Sequence, residues 1–154
     1  MIWVYLSINL LFILPVFRLG TDALRLLGRR MIVATIAAAL IFIAMPTTAG
    51  FSRLSDADGA SAVFQLLYAL DHPYNCVPSL HVAYSALIVT ALVQHARRVL
   101  KAVLAAWLVL IMASTVLTHQ HHLIDVAAAL LLVALIGLAL PAKDPRALAI
   151  DGSR

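Results

Sequence analysis

The sequence predicts an all-α fold, a polytopic transmembrane helical bundle with about five spanning helices. Three observations carry that expectation. The 154 residues are 64% hydrophobic and only 12% charged, whereas soluble domains are near half apolar and about a quarter charged. The apolar residues fall in long runs. The basic residues cluster in short segments between those runs, as they do in the cytoplasmic loops of membrane proteins. That clustering also argues against nucleic-acid binding, which the net charge of +4 would otherwise suggest.

A helix crossing the hydrocarbon layer takes about 20 residues, and lipid leaves no other way to satisfy the backbone of a single segment. Five segments answer to this: Met1–Phe17, Met31–Met45, Ser79–Gln94, Ala102–Thr118 and Leu123–Leu140. The first has no basic residues before it and no small-residue cleavage site after it, so it reads as a span and not as a cleavable signal. Pro46 and Pro141 mark helix ends. Pro78 sits at a helix start, where a missing N–H does no harm. Within the long connection Thr47–Val77, Ala60–Leu70 has helical character and predicts a short interfacial helix. The single cysteine, Cys76, excludes an internal disulfide and reads as a packing residue. Trp3, Trp107 and the tyrosines read as interfacial anchors or packing residues.

The connections give the orientation. Arg18, Arg25, Arg29 and Arg30 fall in the first loop, Arg97, Arg98 and Lys101 in the third, and Lys143, Arg146 and Arg154 in the tail. All lie on one face, which is therefore expected to be cytoplasmic. The other face carries Thr47–Val77 and the turn His119–His122. It holds Arg53 as its sole arginine or lysine, and every histidine except His95. Residues 1–141 are expected to form the transmembrane domain and 142–154 a cytoplasmic tail. Five spans with a cytoplasmic tail put the N-terminus outside, which predicts a further helix ahead of the first.

Two stretches on the outer face carry chemistry, residues 71–81 and 114–125. His81 begins the third span. His121 and Asp125 begin the fifth, four residues apart and so on one helix face. Ionisable groups at membrane depth are expensive and mark function. A carboxylate beside an imidazole fixes the tautomer and makes the other ring nitrogen a better nucleophile or base. The helix N-terminus favours an anion. His81 suits a general acid for a leaving alcohol, and Arg53 can clamp phosphate oxygens with its planar fork. Together they point to phosphate-ester chemistry. Arg53 also reads as a solvated or headgroup-contacting arginine, and Ser79 as a helix cap. His72 and His119 read as loop and interface residues. His122 reads as structural or as lining the mouth of the site.

Pro78-Ser79-Leu80-His81, followed by Ser114, His121 and Asp125, resembles the type-2 phosphatidic acid phosphatase superfamily, which carries P-S-G-H and a later S-R-x5-H-x3-D. The spacing of the second motif matches in full. The P-S-L-H form is similar to the branch of inositol phosphotransferases and bacterial membrane phosphatases. The resemblance implies a six-helix core whose first helix is missing here. It implies that His121 attacks phosphorus to form a phosphohistidine, Asp125 orients it, His81 protonates the leaving group and Ser79 helps hold phosphate, with no metal and no cofactor. Of the family's earliest motif, K-x6-R-P, only Arg53 remains, with Pro46 and Leu54 in the flanking positions. Thr115 replaces the arginine of the later motif.

The expected function is that of a membrane phosphatase or phosphotransferase acting on a lipid or lipid-linked phosphoester. Its site would face the periplasm or exterior of a bacterial inner membrane, with membrane lipids as its surroundings. Two alternatives stand beside it. One is a metal protein using His81, His119, His121, His122 and Asp125, against which adjacent His121 and His122 would point about 100° apart on a helix. The other is a non-catalytic relative that binds lipid.

Overall fold

The computed structural model describes residues 1–48, 50, 62, 74–94 and 96–142. Arg53, His72, His95, the tail from 143 onward and all of the expected helix Ala60–Leu70 except Ala62 lie outside the described residues. The described chain is helical: α1 (Ile2–Leu6), α2 (Ile8–Arg18), α3 (Thr21–Ala44), α4 (Leu80–Gln94), α5 (Arg98–Leu117) and α6 (Leu123–Ala139). Helices α1 and α2 together answer to the first expected span and are interrupted only at Ser7. The Ser7 hydroxyl donates to the Val4 carbonyl at 2.6 Å, the kind of side-chain-to-backbone bond that bends helices. The same oxygen accepts the Trp107 indole N–H at 2.8 Å, pinning the interruption to α5.

Helix α4 is the centre. It packs on α2, α3, α5 and α6, and Val82, Ala83, Ala86, Leu87, Ile88, Val89, Ala91 and Leu92 are all buried. A helix that is apolar all round belongs in a core. Around it gather Leu11 from α2, Leu27 and Ala34 from α3, Leu104 and Ile111 from α5, and Ile136 from α6.

The outer faces are apolar too. Helix α3 exposes Ile32, Ile36, Leu40 and Ile43, and α5 exposes Val99, Val103, Val109 and Leu110. Contiguous apolar surface of this kind is rare on soluble monomers. Among the described residues two helices, α3 and α5, are long and apolar enough to cross a membrane; the run Ile2–Arg18, α4 and α6 are apolar but shorter. At 1.5 Å per residue α4 reaches only about 22 Å, against a hydrocarbon layer of about 30 Å. A helix walled in by four others meets protein instead of lipid, so the length rule for lipid-facing helices does not bind it. This architecture is consistent with a membrane protein.

The first loop needs correction. Helix α3 begins at Thr21, not near Met31, so Arg25, Arg29 and Arg30 are helical. Hydropathy marks where a helix is apolar, not where it starts. Leucine and arginine are both good helix formers, and Leu24 and Leu27 carry the packing face through this stretch. Helix α5 likewise begins at Arg98, ahead of Ala102. Arg30 is buried at 7% exposure. Its Nε and Nη2 both donate to the Leu140 carbonyl, at 3.1 and 2.7 Å, closing the C-terminal end of α6 where a cation suits the helix dipole. Arg30→Ala is therefore expected to leave that carbonyl without its donor and to lower stability by about 1–3 kcal/mol. Thermal unfolding in detergent measures this; an unchanged midpoint would show that the contact contributes nothing.

Candidate active site

Three segments build the site at the end of the bundle opposite Arg30. Helix α5 ends on Thr118, and His119 follows in the left-handed conformation with φ 56°. The His119 N–H bonds to the Val116 carbonyl and the Gln120 N–H to the Thr115 carbonyl, both at 3.1 Å. This is a Schellman ending, which takes the final carbonyls of a helix and turns the chain sharply. The His121 N–H also bonds to Thr115, at 3.1 Å, so the turn delivers His121 directly to the start of α6.

His121 and Asp125 come together, but not as neighbours on a helix face. His121 precedes the N-cap, His122, and Asp125 is the third helical residue. Asp125 folds back over the helix end. Its Oδ2 accepts the His122 backbone N–H at 2.9 Å and lies 3.2 Å from His121 Nδ1. The first turn of a helix has unpaired N–H groups, and an acidic side chain there satisfies one of them. An ionised carboxylate only accepts, so the neutral His121 ring bonded to it carries its proton on Nδ1 and has the lone pair on Nε2. Asp125 is 1% exposed and His121 8%, so the pair is shielded from bulk water.

The second segment is anchored by Thr47, just after α3. Its carbonyl accepts Asn75 N–H at 2.7 Å, and its hydroxyl oxygen accepts Cys76 N–H at 3.0 Å and Val77 N–H at 3.3 Å. Asn75 turns with φ 59°, a conformation asparagine tolerates better than most residues. Ser79 is fully buried. Its N–H donates to the Asp125 carbonyl at 3.2 Å, which fixes the start of α4 against the start of α6. Its Oγ sits 3.4 Å from Val82 N–H in a long helix-capping contact. An oxygen that accepts there still has its own proton to donate.

His81, in the first turn of α4, faces His121 with ring centroids 6.0 Å apart and planes inclined by 57°. Its Nε2 is 3.1 Å from the Tyr5 hydroxyl. The sequence reading missed Tyr5, classing the tyrosines as anchors or packing residues. The available signal was a phenol inside an apolar run, which needs a partner when buried. Trp107 also has a bonding role, to Ser7.

Thr115, in the arginine position of the later motif, is fully buried, and its hydroxyl donates to the Met112 carbonyl at 2.8 Å. Its side chain serves the helix. His122 Nε2 accepts the Gly50 N–H at 3.2 Å, a structural tie between the α3–α4 connection and α6. Arg53 lies outside the described residues. Among the described residues, no three His, Cys, Asp or Glu side chains converge on a point that could hold a metal ion.

A family model described as the PAP2 superfamily matches residues 2–140. No curated protein and no solved structure matches the chain.

Proposed function

The chain belongs to the PAP2 superfamily, and from that premise we propose that it is a membrane-embedded phosphatase or phosphotransferase working through a phosphohistidine on a lipid or lipid-linked phosphoester. Membership of the superfamily supports a phosphatase-type function in general. The observation that carries the finer reading is the buried Asp125–His121 pair at 3.2 Å, which leaves Nε2 with an available lone pair beside a second imidazole.

The steps balance. His121 Nε2 attacks phosphorus as the bond to the leaving oxygen breaks. That oxygen keeps the electron pair and takes a proton from His81. Water, or an acceptor hydroxyl, then attacks the phosphohistidine and returns its proton to His81, while the N–P electron pair goes back to His121. The N-terminus of α6 favours the phosphate charge. Ser79 donates a hydrogen bond to phosphate, and Arg53 clamps its oxygens.

The unit that inserts in the membrane is residues 1–141, with 142–154 a cytoplasmic tail, and the site opens to the periplasm or cell exterior. The helix directions support that side. The turn bearing His121 lies at the C-terminal end of α5, while Arg97 and Arg98 lie at its N-terminal end. Spheroplasts are expected to hydrolyse a phosphoester that cannot cross the membrane. Activity appearing only after lysis would reverse the orientation.

The direct test is purification in detergent with EDTA present, assay of phosphate release from a panel of lipid phosphates, and rapid acid-free quenching to trap labelled enzyme. Release together with a base-stable, acid-labile phosphoenzyme is expected. Turnover without that species would replace the covalent route with direct attack by water. A second reading, lipid binding without turnover, is favoured by one observation, the burial of Thr115 where the motif has an arginine. Binding of lipid phosphates with neither release nor transfer to supplied hydroxyl acceptors would establish it.

A further inference from the structure

We propose that Tyr5 is a positioning residue for His81, holding the imidazole in place while it changes protonation state; the inference rests on the phosphohistidine reading and adds a residue that neither sequence motif contains. Tyr5 is 3% exposed and lies in the N-terminal helix, 76 residues from its partner. Two contacts hold the ring of His81 from the same side chain. The hydroxyl meets Nε2 at 3.1 Å, and the aromatic rings lie 5.3 Å apart at 50°.

The support behind Tyr5 is itself built. Helix α1 has five residues, too few to be stable alone. It packs on α5, and the Trp107–Ser7 bond at 2.8 Å ties down the residue that follows it. That tie, the short helix and the phenol form one path from α5 to His81.

The chemistry of the contact suits the step. Nε2 is bonded to Tyr5, so the proton that leaves and returns is the one on Nδ1, and the phenol oxygen accepts from Nε2–H in both the charged and the neutral ring. A carboxylate in the same place would favour the charged ring and oppose release of its proton. A neutral hydroxyl holds the ring by the nitrogen that keeps its proton and leaves the other free to exchange.

The test is Tyr5→Phe in the whole protein, which keeps the aromatic face and removes the hydroxyl. Two phosphoesters are compared, one with an alkyl alcohol leaving group and one with nitrophenol, which departs with little help from an acid. Turnover of the alkyl ester is expected to fall by about 10–100-fold and that of the nitrophenyl ester by much less, with KM little changed. Equal losses on both esters would make Tyr5 a structural residue only and overturn the proposal, as would no loss on either. The 15N resonances of the His81 ring give a readout independent of turnover. They are expected to shift in Tyr5→Phe, and unchanged resonances overturn the proposal. Absence of turnover in the parent protein would instead sink the phosphatase reading, while the nitrogen resonances would still decide whether the hydroxyl holds His81.

Discussion

His121→Ala is expected to reduce phosphate release to background, a loss on the order of 10⁴-fold or more, as removal of a covalent nucleophile does elsewhere. The geometry offers no substitute. His81 Nε2 is engaged by Tyr5. His122 Nε2 is engaged by the Gly50 N–H. The proton on His121 Nδ1 is fixed by Asp125, so Nε2 of this one ring has the lone pair, the orientation and the helix N-terminus behind it. The fold should survive, because the cap of α6 runs through the His122 backbone and the Asp125 side chain, and His121 lies one residue outside it. The measurement is phosphate release and phosphoenzyme trapping on parent and variant, purified side by side with matched thermal unfolding. Release from the parent alone establishes the nucleophile. Equal release from both would mean that the activity comes from another site or another protein, and the assignment of His121 would be wrong.

The parts legible in the sequence were those set by local chemistry. Long apolar runs between basic clusters yield helices and their order. The fixed spacing from Ser114 to His121 to Asp125 survives because one tight turn and one helix start impose it. Other features depend on neighbours far away in the chain, and hydropathy does not encode them. Arg30 looks like a loop charge marking the cytoplasmic side. It is instead a buried donor to Leu140, 110 residues on, and nothing near Arg30 specifies that partner. His121 and Asp125 were expected to meet by helical periodicity. They meet because an acidic residue in the first turn folds back to an unpaired N–H, a rule of helix ends. Tyr5 was passed over because one phenol among apolar residues has the same pattern whether it faces lipid headgroups or a histidine. Thr115 was legible as a departure from the motif, but only the packing shows that its hydroxyl serves the helix.

Asp125→Asn should separate the chemistry of this carboxylate from its role in the fold. Asp125 Oδ2 does two jobs, accepting from His121 Nδ1 and from the His122 backbone N–H. Among the described residues its Oδ1 is buried without a partner. Asparagine has the same shape and one accepting oxygen. If the amide oxygen takes the place of Oδ2, it accepts both bonds but carries no charge, so the helix start is retained and His121 loses the anionic partner that strengthens Nε2 as a nucleophile. If the amide nitrogen takes that place, it donates to Nδ1, moves the ring proton to Nε2 and removes the lone pair that attacks phosphorus, and the His122 N–H loses its acceptor. Either outcome lowers kcat, by about 10²–10⁴-fold on the scale of the carboxylate–imidazole pair of a Ser-His-Asp triad, and the first, which keeps the cap, leaves thermal stability little changed. Asp125→Ala should lose the same chemistry and also the cap, destabilising α6 by about 1 kcal/mol. A variant pair in which alanine unfolds earlier than asparagine, with both equally slow, would assign the two jobs to the two bonds. Asparagine turning over within about threefold of the parent would show that the negative charge of Asp125 does not activate His121, and the nucleophile would need a different source of activation.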